Sequence, residues 1–467
     1  MFKNEIYIRR RQKLMEGLQK GIILLPGNVD SPMNYTDNTY PFRQDSNFLY
    51  FFGLDSPGLA GVIDVDSGEE FIFGNDADVD DVIWMGPQES TQEKARLSGV
   101  AHARPFGELK EMLAAALEKR RTVHFLPPYR SENKILLQAL LGIDPGRLDQ
   151  YASSELIRCV VALRSVKEAC EIEEMKKAWK LGCQMQLTAM QMARPGVWEQ
   201  TIAGTIDSIP MRRGGRPAYP TILSQHGEIL HNHAHLNYLQ EGKLLLVDAG
   251  AESPSHYASD FTRTSPVSGK FNSKQREVYE IVLNANNLAT SMTRAGVTYL
   301  SVHLAVARLI AEQLTALGLM KGDVDEAVQK GAHALFMPHG LGHMIGLDVH
   351  DMEDLGQIHV GFDAEVRPSR QFGTASLRLG KKLQAGYTLT NEPGIYFIPA
   401  LIDKWKHEKI NEDFINFGKL DAYRDFGGIR LEDNLLVTEN GSELLGARLP
   451  ITPEEVEEAM NTGSSLP

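Results

Sequence analysis

Residues 339–351 read HGLGHMIGLDVHD. His339, His343 and His350 fall in one short stretch with Asp348 and Asp351, and Gly340, Gly342 and Gly346 are interleaved among them. Each imidazole carries two polar nitrogens that need partners when buried. Packing alone does not account for such a density, so the stretch is read as chemical. His339 and His343 are four apart, but the intervening Gly-Leu-Gly lacks the glutamate of H-E-x-x-H and is a poor helix former. The zinc-protease helix is therefore rejected in favour of extended backbone, with one histidine ligating a metal and the others facing substrate.

What the histidines serve is decided by four acidic residues in or at the ends of apolar, strand-like runs: Asp248 in LLLVDAG, Asp260 in SDFTRT, Glu392 in TLTNEPGIY and Glu432 in GIRLEDNLLV. An unpaired charge in such a run is costly. A salt bridge to Arg263 or Arg430 is the plain explanation for any one of them. Two divalent ions satisfy all four at once, with hard carboxylate oxygens on both ions and a single imidazole on one. Oxygen-rich ligation with one nitrogen points to Mn²⁺, with Co²⁺, Fe²⁺ and Zn²⁺ as alternatives, and is unlike a structural zinc site, which favours Cys and His.

Outward from these motifs, a chain of 467 residues predicts two domains. The formal charge of −13 argues against a nucleic-acid partner. Cys159, Cys170 and Cys183 are too few and too irregularly spaced for a disulfide framework. The charged start, MFKNEIYIRRRQKL, and the lack of a long apolar run predict a cytoplasmic protein with no membrane association.

Residues 1–160 read as a small α/β domain: helical EIYIRRRQKLMEGLQ, a buried strand GIILLPG, a strand pair VIDVDSGEEFIF turning at Ser-Gly, then helix-like ELKEMLAAALEKR and the apolar TVHFLPP. Residues 161–467 read as an α+β domain. A capping box of Ser165 and Glu168 opens a long amphipathic helix that Pro195 and Gly196 stop. Helices followed by antiparallel strands then occur twice, predicting two halves that pack across a shared sheet. No repeat is visible at the level of residues.

VDAG, SDFTRT, HGLGHMIGLDVHD, NEPGIY and GIRLED, in this order, resemble the pita-bread metallopeptidases, in particular the proline-peptidase branch that contains aminopeptidase P and prolidase. Upstream, YPFRQDSNFLYFFGLDSPG at residues 40–58 is similar to the N-terminal domain of that branch. The resemblance implies a C-terminal domain of two αβ halves with pseudo-twofold symmetry around a dinuclear metal site, preceded by a smaller α/β domain. It makes Asp248 a ligand of one ion, Asp260 and Glu432 bridges, and His343 and Glu392 ligands of the other. It places His231, His339 and His350 facing substrate, Arg430 in the pocket wall and Tyr219 near the site. It implies cleavage of the bond before proline in peptides, with Glu392 carrying the proton and His350 or His339 polarising the carbonyl oxygen. His226, His233 and His235 match nothing and are expected on the surface or in loops. Trp84 is expected either to approach a neighbouring subunit's site or to be a buried aromatic, and a homodimer or higher homo-oligomer is the expected assembly.

Two activities fit. An aminopeptidase leaves the side beyond proline open, whereas a dipeptidase closes it and captures the proline carboxylate with a cation, for which Arg378 in ASLRLGKKLQAG is the candidate. The aminopeptidase reading is preferred. A metal-free hydrolase or a binding module on the same fold would have no reason to keep the full ligand set, and phosphoester cleavage is a weaker alternative.

Overall fold

The computed structural model describes residues 1–462. The chain divides into two compact units, residues 1–164 with 352–359, and residues 165–351 with those from 360 onward.

In the first unit five strands form one mixed sheet, in the order His102–Pro105, Glu70–Gly74, Ala60–Asp64, Ile22–Pro26, Val123–His124. The predicted strand pair around Ser67-Gly68 is the antiparallel pair at its centre, with Val62 opposite Phe71. Ile22, Leu24, Val62, Phe71 and Phe73 meet Leu109 and Leu113 of the helix Glu108–Glu118 to form the core. Trp84 is 84% exposed on the short helix Val79–Met85, so its reading as a buried aromatic is overturned.

The second unit opens on the helix Ala169–Met192, one register later than expected. Ser165 ends the preceding helix Ser154–Ser165, and the capping box is formed by Glu168 and Glu171. The reason lies at Lys167, whose backbone N–H donates to Gly386 O at 2.9 Å and so leaves helical geometry between the two helices.

The expected doubling of helices and strands is present. Ala169–Met192 packs on Glu199–Met211 as Ser273–Met292 packs on Tyr299–Ala316. A residue-level repeat accompanies it, which overturns the expectation of none: ARPGVWE at 193–199 and TRAGVTY at 293–299 end the first helix of each pair. Gly196 and Gly296 have φ of 83° and 84°, a conformation that glycine adopts without strain. Their N–H groups donate to Leu239 O and Leu383 O, and the N–H groups of these same two leucines donate back to Val197 O and Val297 O. One loop chemistry has been built twice.

Each half contributes a three-stranded antiparallel sheet. The first runs Thr262–Pro266, Leu244–Asp248, Ile222–Ser224; the second runs Thr388–Asn391, Asp433–Val437, Ser442–Leu444. A two-stranded ribbon, Gly394–Tyr396 with Gly428–Arg430, lies beside them. The runs TLTNEPGIY and GIRLEDNLLV, each read as one strand, are each two. Both break at the acidic residue, leaving Glu392 and Glu432 between strands that pair on either side of them, Asn391 with Asp433 and Gly394 with Arg430.

Candidate metal centre and substrate cavity

Strand ends supply the carboxylates. Asp248 closes its strand and pairs with both Thr262 and Ile222, so neighbouring strands hold it from each side. Asp260 stands two residues before Thr262 on the returning arm, its N–H donating to Asn434 Oδ1 at 3.0 Å. Glu432 accepts from Thr262 Oγ1 at 2.7 Å. The hairpin between Asp248 and Asp260 is tight: a Cβ on Gly250 would lie 1.8 Å from Ser259 O, so no larger residue fits there.

The opening stretch is extended only in part: residues 341–345 run along the strand Thr388–Asn391, as expected, whereas residues 346–351 bend back into a loop. Thr390 N–H donates to His343 O at 2.9 Å and His343 N–H to Thr390 Oγ1 at 3.0 Å, laying the histidine against the strand that ends at Glu392. A Cβ on Gly342 would stand 2.0 Å from Thr390 O, which explains a glycine between His339 and His343. His343 Nδ1 lies 3.0 Å from Met344 O, to which it donates, and this leaves Nε2 facing Asp260 Oδ2 at 3.4 Å and Glu392 Oε1 at 3.8 Å. Such a bond on the far nitrogen fixes the tautomer a metal ligand needs.

Negative charge is crowded at this point. Burial, reinforced by the charges of Asp260, Glu392 and Asp248, pushes the Glu432 carboxyl well above its usual range. Burial also raises Asp248, and raises Glu392 to about 7 against the opposing pull of His343 and Arg430. Burial would raise Asp260 too, but its hydrogen bond and charge interaction with His343 lower it instead. For His343, burial is outweighed by Asp260 and Glu392, and its proton affinity rises. Carboxylates forced together at such cost need a cation among them. Asp260, His343 and Glu432 each offer an atom within 4.8 Å of the others, all three buried. The donor set, oxygen-rich with one imidazole nitrogen, fits divalent ions.

Arg430 answers part of the charge. It donates from Nη2 to Asp248 Oδ2 at 2.6 Å, from Nε to Thr262 Oγ1 at 3.0 Å and from Nη1 to the Tyr396 hydroxyl at 2.8 Å. The Tyr396 hydroxyl is 2.9 Å from His339 Nε2, while His339 Nδ1 is 2.7 Å from Gly340 O. His339 therefore donates from Nδ1 to the carbonyl and accepts from Tyr396. Burial, aided by the Arg430 charge, brings His339 down to about 3 and keeps it neutral. Tyr219 places its hydroxyl 2.6 Å from Asp248 Oδ1 and in contact with Asp260 Oδ1, one proton serving two carboxylates.

One cavity of about 530 Å³ within the second unit collects Asp248, Asp260, His343, Glu392 and Glu432 together with Tyr219, His231, His339, His350, Arg378 and Arg430, whereas Asp348, Asp351 and Arg263 do not line it. His350 lies against His343, the ring centroids 3.9 Å apart and the planes tilted by 36°. Pro220, Ile222, Leu230, Pro338 and Val349 supply apolar wall.

His226, His233 and His235 lie in loops, as expected. His233 lines the cavity as well as being exposed, and His235 is buried, its Nδ1 3.0 Å from Leu223 O. Tyr396 was missed; it stands in the quoted NEPGIY, but a tyrosine in a strand gives no sign that its hydroxyl will join an arginine to a histidine.

Residues 173–439 match the profile of metallopeptidase family M24, and residues 7–124 that of the aminopeptidase P N-terminal domain. The human Xaa-Pro dipeptidase is 31% identical over 97% of this chain and 93% of its own length. The Xaa-Pro aminopeptidase of Escherichia coli is 33% identical, over 97% and 96%. The solved low-pH form of E. coli aminopeptidase P is 31% identical, covers 98% of each chain and superposes with a TM-score of 0.80. The chain belongs to metallopeptidase family M24, its peptidase domain preceded by an aminopeptidase P N-terminal domain.

Proposed function

We propose that this metallopeptidase is an Xaa-Pro aminopeptidase, cleaving the bond between an N-terminal residue and proline. The observation that carries the reading is the convergence of four carboxylates and His343 on one cavity whose remaining walls are histidine, arginine and apolar side chains.

Asp248, Asp260, His343, Glu392 and Glu432 would hold two divalent ions, with Mn²⁺ favoured by the oxygen-rich set and Co²⁺, Fe²⁺ and Zn²⁺ as alternatives. Bound there, the ions would lower the pKa of a shared water and polarise the scissile carbonyl. Glu392, on the cavity wall with the other carboxylates, is assigned to take the water proton and give it to the proline nitrogen as the C–N bond breaks, leaving a carboxylic acid and a secondary amine. His350, on the cavity wall beside His343, is assigned to donate to the carbonyl oxygen. His339, engaged with Tyr396 and Gly340, acts by holding the wall. His231 and Arg378, on the same cavity, are assigned to substrate.

Relatives carrying the dipeptidase name are as similar as those named aminopeptidase, and Arg378 on the cavity wall is the group that would hold a free proline carboxylate. A Mn²⁺-supplemented assay of Ala-Pro against Ala-Pro-Ala, each with an Arg378→Ala variant, separates the two. Preference for the tripeptide, unaffected by the variant, supports the aminopeptidase; preference for the dipeptide, lost in the variant, makes the chain a dipeptidase. Cleavage of neither removes the proposal.

The assembly is proposed to be a homodimer, supported by the exposed Val79, Ile83, Trp84 and Met85 on one short helix, and sedimentation tests it. Among the described residues no helix is long and apolar enough to cross a membrane. The cytoplasmic assignment rests on the three cysteines, all free, and cell fractionation tests it.

A further inference from the structure

Lys167 and Asp351 form an ion pair at 3.0 Å with both side chains 1% exposed. Taking two charges out of water costs about as much as their attraction returns, so a pair this deep is weak evidence for stability alone. Its position says more.

Asp351 follows His350 directly. Its N–H donates to Met344 O at 2.9 Å, closing residues 344–351 into a loop with His350 next to the closure. The base of that loop is held to the strand Thr388–Asn391: Ile345 N–H donates to Thr388 O at 3.1 Å, and Met344 bridges Leu389. Lys167 is tied to the same place, its N–H donating to Gly386 O, two residues before that strand. The ion pair therefore completes a ring running from the strand through Lys167 and Asp351 to Met344 and back to the strand. Glu392 follows the strand directly, and His350, one residue before Asp351, lies against His343 with ring centroids 3.9 Å apart.

Gly346 leaves the room for this. A Cβ there would lie 2.5 Å from Asp351 Oδ2 and 2.8 Å from Lys167 Cε, so the loop passes directly over the pair. Ala258 N–H donates to Gly346 O at 2.8 Å, which joins the loop to the hairpin between Asp248 and Asp260.

We propose that Lys167 and Asp351 are positioning residues for His350, holding its ring at the cavity wall in register with Glu392. The assignment rests on the proposed peptidase reading, in which His350 meets the scissile carbonyl. What the pair adds is a fixed place for Asp351, whose Oδ2 meets Lys167 Nζ while its N–H holds Met344 O.

The test is a double-mutant cycle of Lys167→Met and His350→Ala, with kcat and KM measured on Ala-Pro and Ala-Pro-Ala and thermal midpoints recorded for all four proteins. Displacing a group near the reacting atoms is expected to lower kcat by about tenfold or more. In the His350→Ala background the same change should cost less than about twofold, since a residue acting through His350 has nothing left to position. Equal losses in both backgrounds would overturn the proposal. If Lys167→Met does not fold, the Lys167→Met/Asp351→Asn protein, which removes both charges together, takes its place in the cycle.

Should the wild-type protein cleave neither peptide, the peptidase reading fails, and the pair is judged separately by ring carbon NMR of histidine-labelled, Zn²⁺-loaded protein. The His350 signal, identified by its loss in His350→Ala, should shift in Lys167→Met. An unshifted signal overturns the positioning role.

Discussion

Arg430 Nη2 donates to Asp248 Oδ2 at 2.6 Å while its other two nitrogens hold Thr262 and Tyr396. One planar group thus ties a carboxylate of the candidate metal centre to the wall that carries His339. A lysine keeps the charge but cannot repeat a three-way fork. Each charge-assisted bond lost is worth about 1.5–3 kcal/mol, so Arg430→Lys should lower kcat/KM by about 10- to 100-fold, close to the effect of Arg430→Met. Steady-state kinetics on the three proteins decide it. Wild-type efficiency in Arg430→Lys would show that only the charge matters.

Tyr396 is the middle of that relay, accepting from Arg430 and donating to His339. Tyr396→Phe leaves a buried nitrogen on His339 without its donor, a defect of about 1–3 kcal/mol. If His339 acts only through the wall, Tyr396→Phe and His339→Ala should reduce kcat/KM to a similar extent, and the double variant should be no worse than either. A loss in His339→Ala at least a hundredfold greater would instead place the His339 ring on the substrate.

The crowded carboxylates predict a stability that depends on divalent ions. Without a cation, Glu432, Glu392 and Asp248 are held against their own charges. Ion binding to the folded chain stabilises it by mass action, by about 2.7 kcal/mol at a hundredfold excess over Kd. Chelator-treated protein should therefore melt lower, Mn²⁺ should restore the midpoint, and two ions per chain should be counted by elemental analysis. Glu432→Gln should remove most of the restoration. A midpoint indifferent to Mn²⁺, Co²⁺ and Zn²⁺ would leave the centre without its proposed occupant.

The candidate site was legible in the sequence because its proposed ligands are charges in apolar company. Asp248, Asp260, Glu392 and Glu432 violate the pattern of the strands that carry them, and such violations are where function is found. What stayed hidden obeyed the pattern. Tyr396 is an ordinary strand residue until its hydroxyl is placed in three dimensions. Lys167 gives no local sign of its role, since nothing near it in sequence shows that Asp351, 184 positions away, will meet it. The strand breaks at Glu392 and Glu432 were read through because β-branched and apolar residues continue on both sides. The doubled ARPGVWE and TRAGVTY loops share only arginine, glycine and valine at equivalent positions, too little to stand out until their hydrogen bonds are compared.

His303 and His333 predict the acid limit of the fold. Both are buried, at 1% and 0% exposure, with ring centroids 6.3 Å apart, and none of their ring nitrogens has a partner among the described residues. Burial, with smaller contributions from His333 and His339, brings His303 down to about 3; burial alone brings His333 down to about 4. In the unfolded chain both titrate near 6.5. Above that pH neither state binds the protons and the pair is neutral in its effect. As pH falls below 6.5 the unfolded chain takes up protons that the folded chain refuses, so stability declines until the folded values near 4 and 3 are passed. Each histidine contributes a slope of up to about 1.4 kcal/mol per pH unit in that window. Urea midpoints of wild type and His303→Leu/His333→Leu should therefore run parallel above pH 7 and diverge below 6, the variant losing less. Parallel curves from pH 7 to 4.5 would mean that the pair takes up protons as readily in the folded chain as in the unfolded one.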